Sequence, residues 1–113
     1  MKTEFAKNMK IINELCAFCN LHGAHNFNLE LKIMEKEVQF IVTASKVTVS
    51  EKEMEQLLKR LNVGRRREME QNYWGAGGRS DTNAELLMVG MMIDEANVSY
   101  EDEVMIITLT RFV

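Results

Sequence analysis

The sequence has no proline and only two cysteines among its 113 residues. Without proline, helices and strands can continue without the breaks that this residue imposes, but one marker of their boundaries is also missing. Two cysteines are too few for the disulfide framework of a small secreted domain and fit a reducing compartment better. No apolar run approaches the roughly 20 residues that span a bilayer, which argues against a membrane protein.

A large charge of one sign is also lacking. The net charge of −3 provides no overall attraction for nucleic acids or membrane surfaces, so neither is an expected partner. The first seven residues carry mixed charge and no apolar signal core, from which we expect a cytoplasmic protein. The hydrophobic fraction of 46% is ordinary for a globular chain, and the length predicts a single domain over residues 1–113.

Hydrophobic periodicity predicts an α+β fold. Apolar residues at three- and four-residue spacing predict a helix over residues 3–21, with Gly23 as its end signal. Alternation predicts a strand over Asn26–Met34 and a second strand with Val38, Phe40, Val42 and Ala44 on one face. Ser50 and Glu53 form a capping-box signature that opens a helix reaching about Leu61. The later predicted elements are a helix ending near Met92 and a hairpin of Ala96–Tyr100 and Glu103–Phe112 around Glu101-Asp102.

This order of elements predicts a two-layer α/β sandwich. We expect a mainly antiparallel four-stranded sheet covered on one face by about three helices. Helix residues Met54, Leu57, Leu58 and Leu61 are expected to face the core. Residues 62–82 lack a clear pattern, and a connection of that length in a small domain is typical of a functional loop.

Residues Glu14–Gly23 read Glu-Leu-Cys-Ala-Phe-Cys-Asn-Leu-His-Gly. The segment resembles the first motif of the GHKL (Bergerat) ATPases, which include histidine kinases and anti-sigma kinases. In that motif, Glu-x-x-x-Asn-Ala-x-x-His-Gly, the Asn helps to hold the magnesium that bridges the nucleotide phosphates. Glu14, His22 and Gly23 are in register, but Phe18 stands at the Asn position, and a phenyl ring cannot ligate a cation that requires oxygen donors.

Two further segments carry the resemblance, and two depart from it. Met88–Val98 resembles the family's Leu-Met-Asp-Glu-Val-x-Val segment, and Val104–Arg111 resembles its closing strand. The family's second motif, Asp-x-Gly-x-Gly, has no counterpart in Ile41–Val47, which contains neither the Asp nor the glycines. The lid glycines correspond loosely to the Gly75–Gly78 cluster, separated from the following helix by additional residues.

The resemblance implies a degenerate GHKL-like domain that has lost ATP hydrolysis and phosphotransfer. It implies a non-catalytic regulatory or protein-interaction role, of the anti-sigma kind, in bacterial signalling. A second hypothesis is a nucleotide or small-anion sensor, with ATP and magnesium as candidate ligands of a modified pocket. The residues of that vestigial pocket would be Glu14, Phe18, His22, Gly77, Gly78 and Arg79.

A third hypothesis is a zinc site. Cys16, Cys19, His22 and His25 have zinc-ligand chemistry at Cys-x2-Cys-x2-His-x2-His spacing. On one continuous helix, however, steps of three residues turn successive side chains away from one another, so convergence would require the helix to unwind. The alternative is that both cysteines are core residues and both histidines lie at a helix end.

The candidate partner-binding residues are Tyr73 and Trp74. An aromatic side chain between a charged segment and a glycine cluster can anchor a protein partner or fold onto the core. The basic run Arg65-Arg66-Arg67 could grip a phosphate, although neighbouring acidic residues dilute it. A protein partner is expected, and pairing of a sheet edge with a second copy, giving a homodimer, is left open.

Overall fold

The structure, a computed structural model, describes residues 4–68, 70 and 82–113, with the backbone alone for residues 82–84. Within these ranges the chain has three long helices and a four-stranded antiparallel sheet, which confirms the predicted fold class. The elements are α1 (Glu4–Leu21), β1 (Asn26–Ile33), β2 (Glu37–Ser45), α2 (Glu51–Leu61), α3 (Thr82–Met92), β3 (Glu95–Glu101) and β4 (Val104–Phe112).

The sheet has the order β1-β2-β4-β3, and every neighbouring pair is antiparallel. The two central strands provide the buried face. Phe40 pairs with Leu109 and Val42 with Ile107, and all four side chains are at most 1% exposed. Successive side chains of a strand point to opposite faces, so the intervening residues form a second, more open face.

The helices form one layer against the buried face of the sheet. α1 lies on β2 and packs against α3, α3 packs against α2, and α2 reaches β3. The order across the layer is therefore α1, α3, α2. Because α1 lies over β2, the edge strand β1 extends beyond the helices, and this geometry determines which apolar side chains remain uncovered.

The start of α2 follows the predicted capping box. The Ser50 hydroxyl accepts a hydrogen bond from the Glu53 backbone N–H at 3.1 Å, and the Glu53 carboxylate accepts one from the Ser50 backbone N–H at 2.8 Å. Leu57 and Leu61 are buried as expected, but Leu58 is 36% exposed. The apolar periodicity of α2 therefore predicted a buried face that is wider than the part of α2 that α3 covers.

Gly90 allows α2 and α3 to cross at unusually short distance. A Cβ atom added to Gly90 would lie 1.9 Å from the backbone oxygen of Arg60 and 3.2 Å from the Cα of Leu61. No side chain fits at this crossing, because the neighbouring atoms belong to the backbone of α2.

The last hairpin turns one residue later than predicted. Glu101 pairs with Val104, which leaves Asp102 and Glu103 as the two loop residues. Both have positive φ values, 53° and 64°, as a two-residue type I′ hairpin requires. Neither residue is glycine, and without that marker the predicted position of the turn was one residue too early.

Candidate functional site

The Glu14–Gly23 segment forms the C-terminal half of α1 and its cap. Gly23 has φ 107°, its N–H donates to the Asn20 carbonyl, and the Ala24 N–H donates to the Cys19 carbonyl. This is a Schellman motif, in which glycine supplies the left-handed backbone. The helix end predicted at Gly23 is confirmed.

Glu14 is buried in an ion pair. Its carboxylate lies 2.8 Å from the Lys10 ammonium, which also lies 3.3 Å from the Glu85 carboxylate on α3. Burial opposes the charge on Lys10, but the hydrogen bonds and charges of the two carboxylates outweigh it and raise the pKa of Lys10. Lys10 therefore joins α1 to α3, and Glu14, which is 7% exposed, is the partner of Lys10 on its own helix.

Phe18 and His22 lie next to each other, with ring centroids 4.6 Å apart. Phe18 is 5% exposed and belongs to the hydrophobic core. His22 caps α1, its carbonyl accepts from the Thr48 N–H, and its Nδ1 lies 3.8 Å from the Glu53 carboxylate. The structure thus places Glu14 and Phe18 on α1 and His22 at its cap, with a core phenyl group where a magnesium ligand would stand in the resembled motif.

The remaining residues of the predicted pocket and partner site belong to a segment that the structure does not describe. Tyr73, Trp74, Gly77, Gly78 and Arg79 lie outside the described residues. The segment Ile41–Val47, which corresponds to the family's second motif, forms the end of β2 and the turn that follows. Its residues Ala44 and Val47 are fully buried in the core.

The Cys/His pattern does not assemble into a ligand set. Among the described residues, which include all four members of the pattern, no group of three His, Cys, Asp or Glu side chains could hold a metal ion. Both cysteines are free thiols. Burial raises the pKa of Cys16, and burial together with the neighbouring Cys16 raises the pKa of Cys19 to about 12. Thiols in this state are poor nucleophiles and poor metal ligands.

A buried charge cluster closes the end of the sheet near the N-terminus of α1. The Arg111 guanidinium, 1% exposed, lies 3.0 Å from the Glu70 carboxylate and 2.8 Å from that of Glu4. Arg65 lies 3.2 Å from Glu70 and 2.8 Å from Asp94. Burial acts to raise the pKa of Glu4, but Arg111 and Lys7 together outweigh it and lower that pKa.

This charge cluster was missed in the sequence, although a signal was present. Residues Met105, Ile107 and Leu109 alternate on the buried face of β4, and Arg111 is the next residue of that series. Alternation therefore predicts a buried arginine that needs partners. Arg65, considered above as part of a basic run that could grip a phosphate, is one of the cluster's buried cations.

A cavity of about 710 Å³ opens beside the charge cluster. Its lining residues are Glu4, Lys7, Arg65, Arg67, Glu68, Glu70, Arg111 and Val113. The acidic and basic side chains are nearly balanced, and the most buried of them are paired with one another. The arrangement fastens Arg65, Glu70 and the start of α1 to the sheet.

An exposed apolar surface lies at the opposite side of α1 from α3. On β1, Leu29 and Ile33 are 53% and 59% exposed, although their partners Val42 and Val38 on β2 are buried. On α1, Phe5 and Met9 are 57% and 44% exposed. We call these four residues the apolar flank.

The helical spacing shows that both α1 residues point towards β1. Lys10 and Glu14 mark the side of α1 that faces α3. At about 100° per residue, Phe5 and Met9 lie on the side away from those two residues, together with Ile12 and Cys16. The half-buried Phe27 and Leu31 continue the same face on β1. The sequence predicted this face of β1 as buried, but only Phe27 and Leu31 pack against the core, and Leu29 and Ile33 remain largely uncovered.

Comparison with known proteins identifies no family for this chain. No family model matches the sequence, and no curated protein matches it. Within the described ranges, no helix has both the length and the apolar character needed to cross a membrane.

Proposed function

We propose that this chain is a non-catalytic protein-interaction domain that binds its partner through the apolar flank. The observation that carries the proposal is the exposure of four large apolar side chains on one side of the molecule, at Phe5, Met9, Leu29 and Ile33. Contiguous exposed apolar surface is costly in water and is typical of a site that another protein covers.

The surroundings of Glu14 and Phe18 support a non-catalytic role. A catalytic carboxylate needs access to substrate, whereas Glu14 is held by Lys10 and is 7% exposed. Phe18 offers no oxygen to a magnesium ion. The order of helices and strands agrees with a GHKL-like domain that has lost its ATPase chemistry. On that interpretation the domain is a cytoplasmic regulator in bacterial signalling, of the anti-sigma kind.

Site-specific photo-crosslinking tests the proposal in the cells that produce the protein. A benzoylphenylalanine placed at Leu29 should form a covalent adduct with one protein, which mass spectrometry identifies. A second copy of this chain counts as such a protein. The matched control is the same probe at Ile106, which is 37% exposed on the open face of β4. Equal adducts at both positions, or none at Leu29, would refute the proposal.

The effect of the apolar flank on affinity provides the second measurement. Leu29→Ser combined with Ile33→Ser removes most of the apolar surface of β1 and should weaken binding of the crosslinked protein at least tenfold. Both side chains are more than half exposed, so the thermal unfolding midpoint should change little. Undiminished affinity with an intact fold would place the binding surface elsewhere.

A further inference from the structure

We infer that the partner of the apolar flank is a second copy of this chain, joined through an antiparallel pair of β1 strands. The inference rests on the proposed function and names the partner. It follows from three observations about β1: an edge without a partner strand, a charge pattern that complements itself in one register, and apolar side chains that this pairing would cover.

The backbone of β1 has one side available for pairing. β1 is an edge strand, and no strand of the described chain pairs with its outer side. The Met34 N–H donates to the Glu37 carbonyl at 2.9 Å and closes the hairpin with β2. Because hydrogen-bonded pairs alternate along an antiparallel ladder, the backbone groups of Phe27, Leu29, Leu31 and Ile33 point away from β2. Four alternate residues thus present donors and acceptors to another strand.

The charges of β1 select one register for self-pairing. With Leu31 on a two-fold axis, Leu29 faces the partner's Ile33 and Glu30 faces the partner's Lys32, and the symmetry repeats both pairs. A centre at Glu30 or at Lys32 would instead oppose two like charges. Registers that are out of phase by one residue would place apolar side chains opposite polar ones.

The same pairing covers the apolar flank. A two-fold axis perpendicular to the sheet puts both helix layers on the same face, so the two α1 helices face each other across the paired β1 strands. Since each α1 lies over β2, their axes would be three strand spacings apart, about 14 Å. Directly packed helices are about 8–10 Å apart, so large side chains are needed between them. Phe5 and Met9 from both copies occupy that space, above Leu29 and Ile33.

Charge reversal tests the register without disturbing the fold. Glu30 and Lys32 have side chains 56% and 47% exposed. Glu30→Lys turns two attractive cross-strand pairs into two repulsive ones, as does Lys32→Glu, and each change should raise the dimer dissociation constant about tenfold. The matched control is Glu95→Lys on the other edge strand, β3, which makes the same change in charge and should leave the constant unchanged.

Mixing the two reversed proteins is the decisive experiment. In a complex of one Glu30→Lys chain with one Lys32→Glu chain, every Glu30–Lys32 cross-strand position again holds opposite charges. The mixed dimer should therefore form at protein concentrations at which each variant alone is monomeric. Sedimentation velocity over a concentration series measures all these species. The double variant Glu30→Lys/Lys32→Glu should also recover the wild-type dissociation constant. Its two cross-strand pairs again join opposite charges, with the positions of the acid and the base exchanged.

The outcomes separate this inference from the proposed function. A wild-type chain that stays monomeric, or a dimer that is indifferent to both reversals, overturns the inference. If the probe at Leu29 then crosslinks a different protein, the interaction function stands with another partner. If it crosslinks nothing, both proposals fail. A dimer whose constant follows the reversals and is restored by mixing supports both.

Discussion

Replacing Gly90 by alanine sets two effects of opposite sign against each other. In an exposed helix, alanine is more favourable than glycine by about 1 kcal/mol, so the intrinsic preference of α3 predicts a more stable protein. At this crossing the new Cβ would lie 1.9 Å from the Arg60 carbonyl oxygen. Carbon and oxygen cannot approach so closely, and α2 and α3 would have to separate by more than about 1 Å. The packing effect should therefore prevail.

The size of the loss follows from what surrounds the crossing. A separation of that size forfeits a quarter to a half of the van der Waals energy between the helices. Overpacking of this kind costs about 1–3 kcal/mol, and more where the obstacle is rigid. Because the obstacle is the backbone of Arg60 and Leu61, no side-chain rotation relieves it. With a rigid obstacle the cost is expected at the upper end of that range, about 3 kcal/mol, and the gain in helix preference of about 1 kcal/mol leaves a net loss of about 2 kcal/mol.

Urea unfolding followed by circular dichroism measures the change. For a domain of this size the expected loss corresponds to a fall of roughly 10 °C in the thermal midpoint. The control is Gly64→Ala, where an added Cβ meets no atom within 4 Å and the only cost is the positive φ of 99°. A Gly90→Ala protein as stable as the wild type would refute the close crossing of α2 and α3.

Three further predictions concern the buried charges, the capping box and the thiols. Arg111→Met leaves Glu70 buried without its least exposed partner and should lower the free energy of unfolding in urea by about 3 kcal/mol. Adding Glu70→Met to the same chain should recover part of that loss. Additive losses from the two substitutions would contradict the pairing. The hydrogen bond from the Ser50 backbone N–H lowers the pKa of Glu53, so its contribution to stability is present above pH 4.5 and lost below it. Glu53→Gln should lower the thermal midpoint at pH 7, and the two proteins should converge as the pH falls below 4.5; a constant difference would contradict this. With its pKa raised to about 12, Cys19 should react with a disulfide reagent at pH 8 far more slowly in the native protein than in denaturant, and equal rates would show that the thiol is accessible.

Local signals in the sequence predicted most of the elements. The capping box at Ser50, the glycine end signal at Gly23 and the alternation in β2 depend on neighbouring residues alone, and all three are confirmed. The turn of the last hairpin was misplaced by one residue, because Asp102 and Glu103 adopt positive φ without the glycine that usually marks it. Leu58 was predicted in the core because apolar periodicity indicates which face of a helix is buried. It does not indicate how much of that face a neighbouring helix covers.

The candidate surfaces depended on contacts between distant residues. Arg111 could have been placed on the buried face of β4 from alternation, but its partners Glu4 and Glu70 lie 107 and 41 residues away. The apolar alternation of β1 predicted a buried face. The same alternation would occur in a strand whose apolar face no helix covers, so it could not predict the exposure. The exposure of Leu29 and Ile33 became visible only with α1 placed over β2.

The sequence by itself determined the class of the fold, the order of its elements and the absence of an oxygen ligand at Phe18. These properties follow from periodicity, capping and side-chain chemistry, which act over a few residues. Tertiary structure decided which side chains are buried together: Glu14 with Lys10, Arg111 with Glu70, and Gly90 against Arg60. It also left Leu29 and Ile33 of β1 uncovered, because α1 lies over β2 and not over the edge strand.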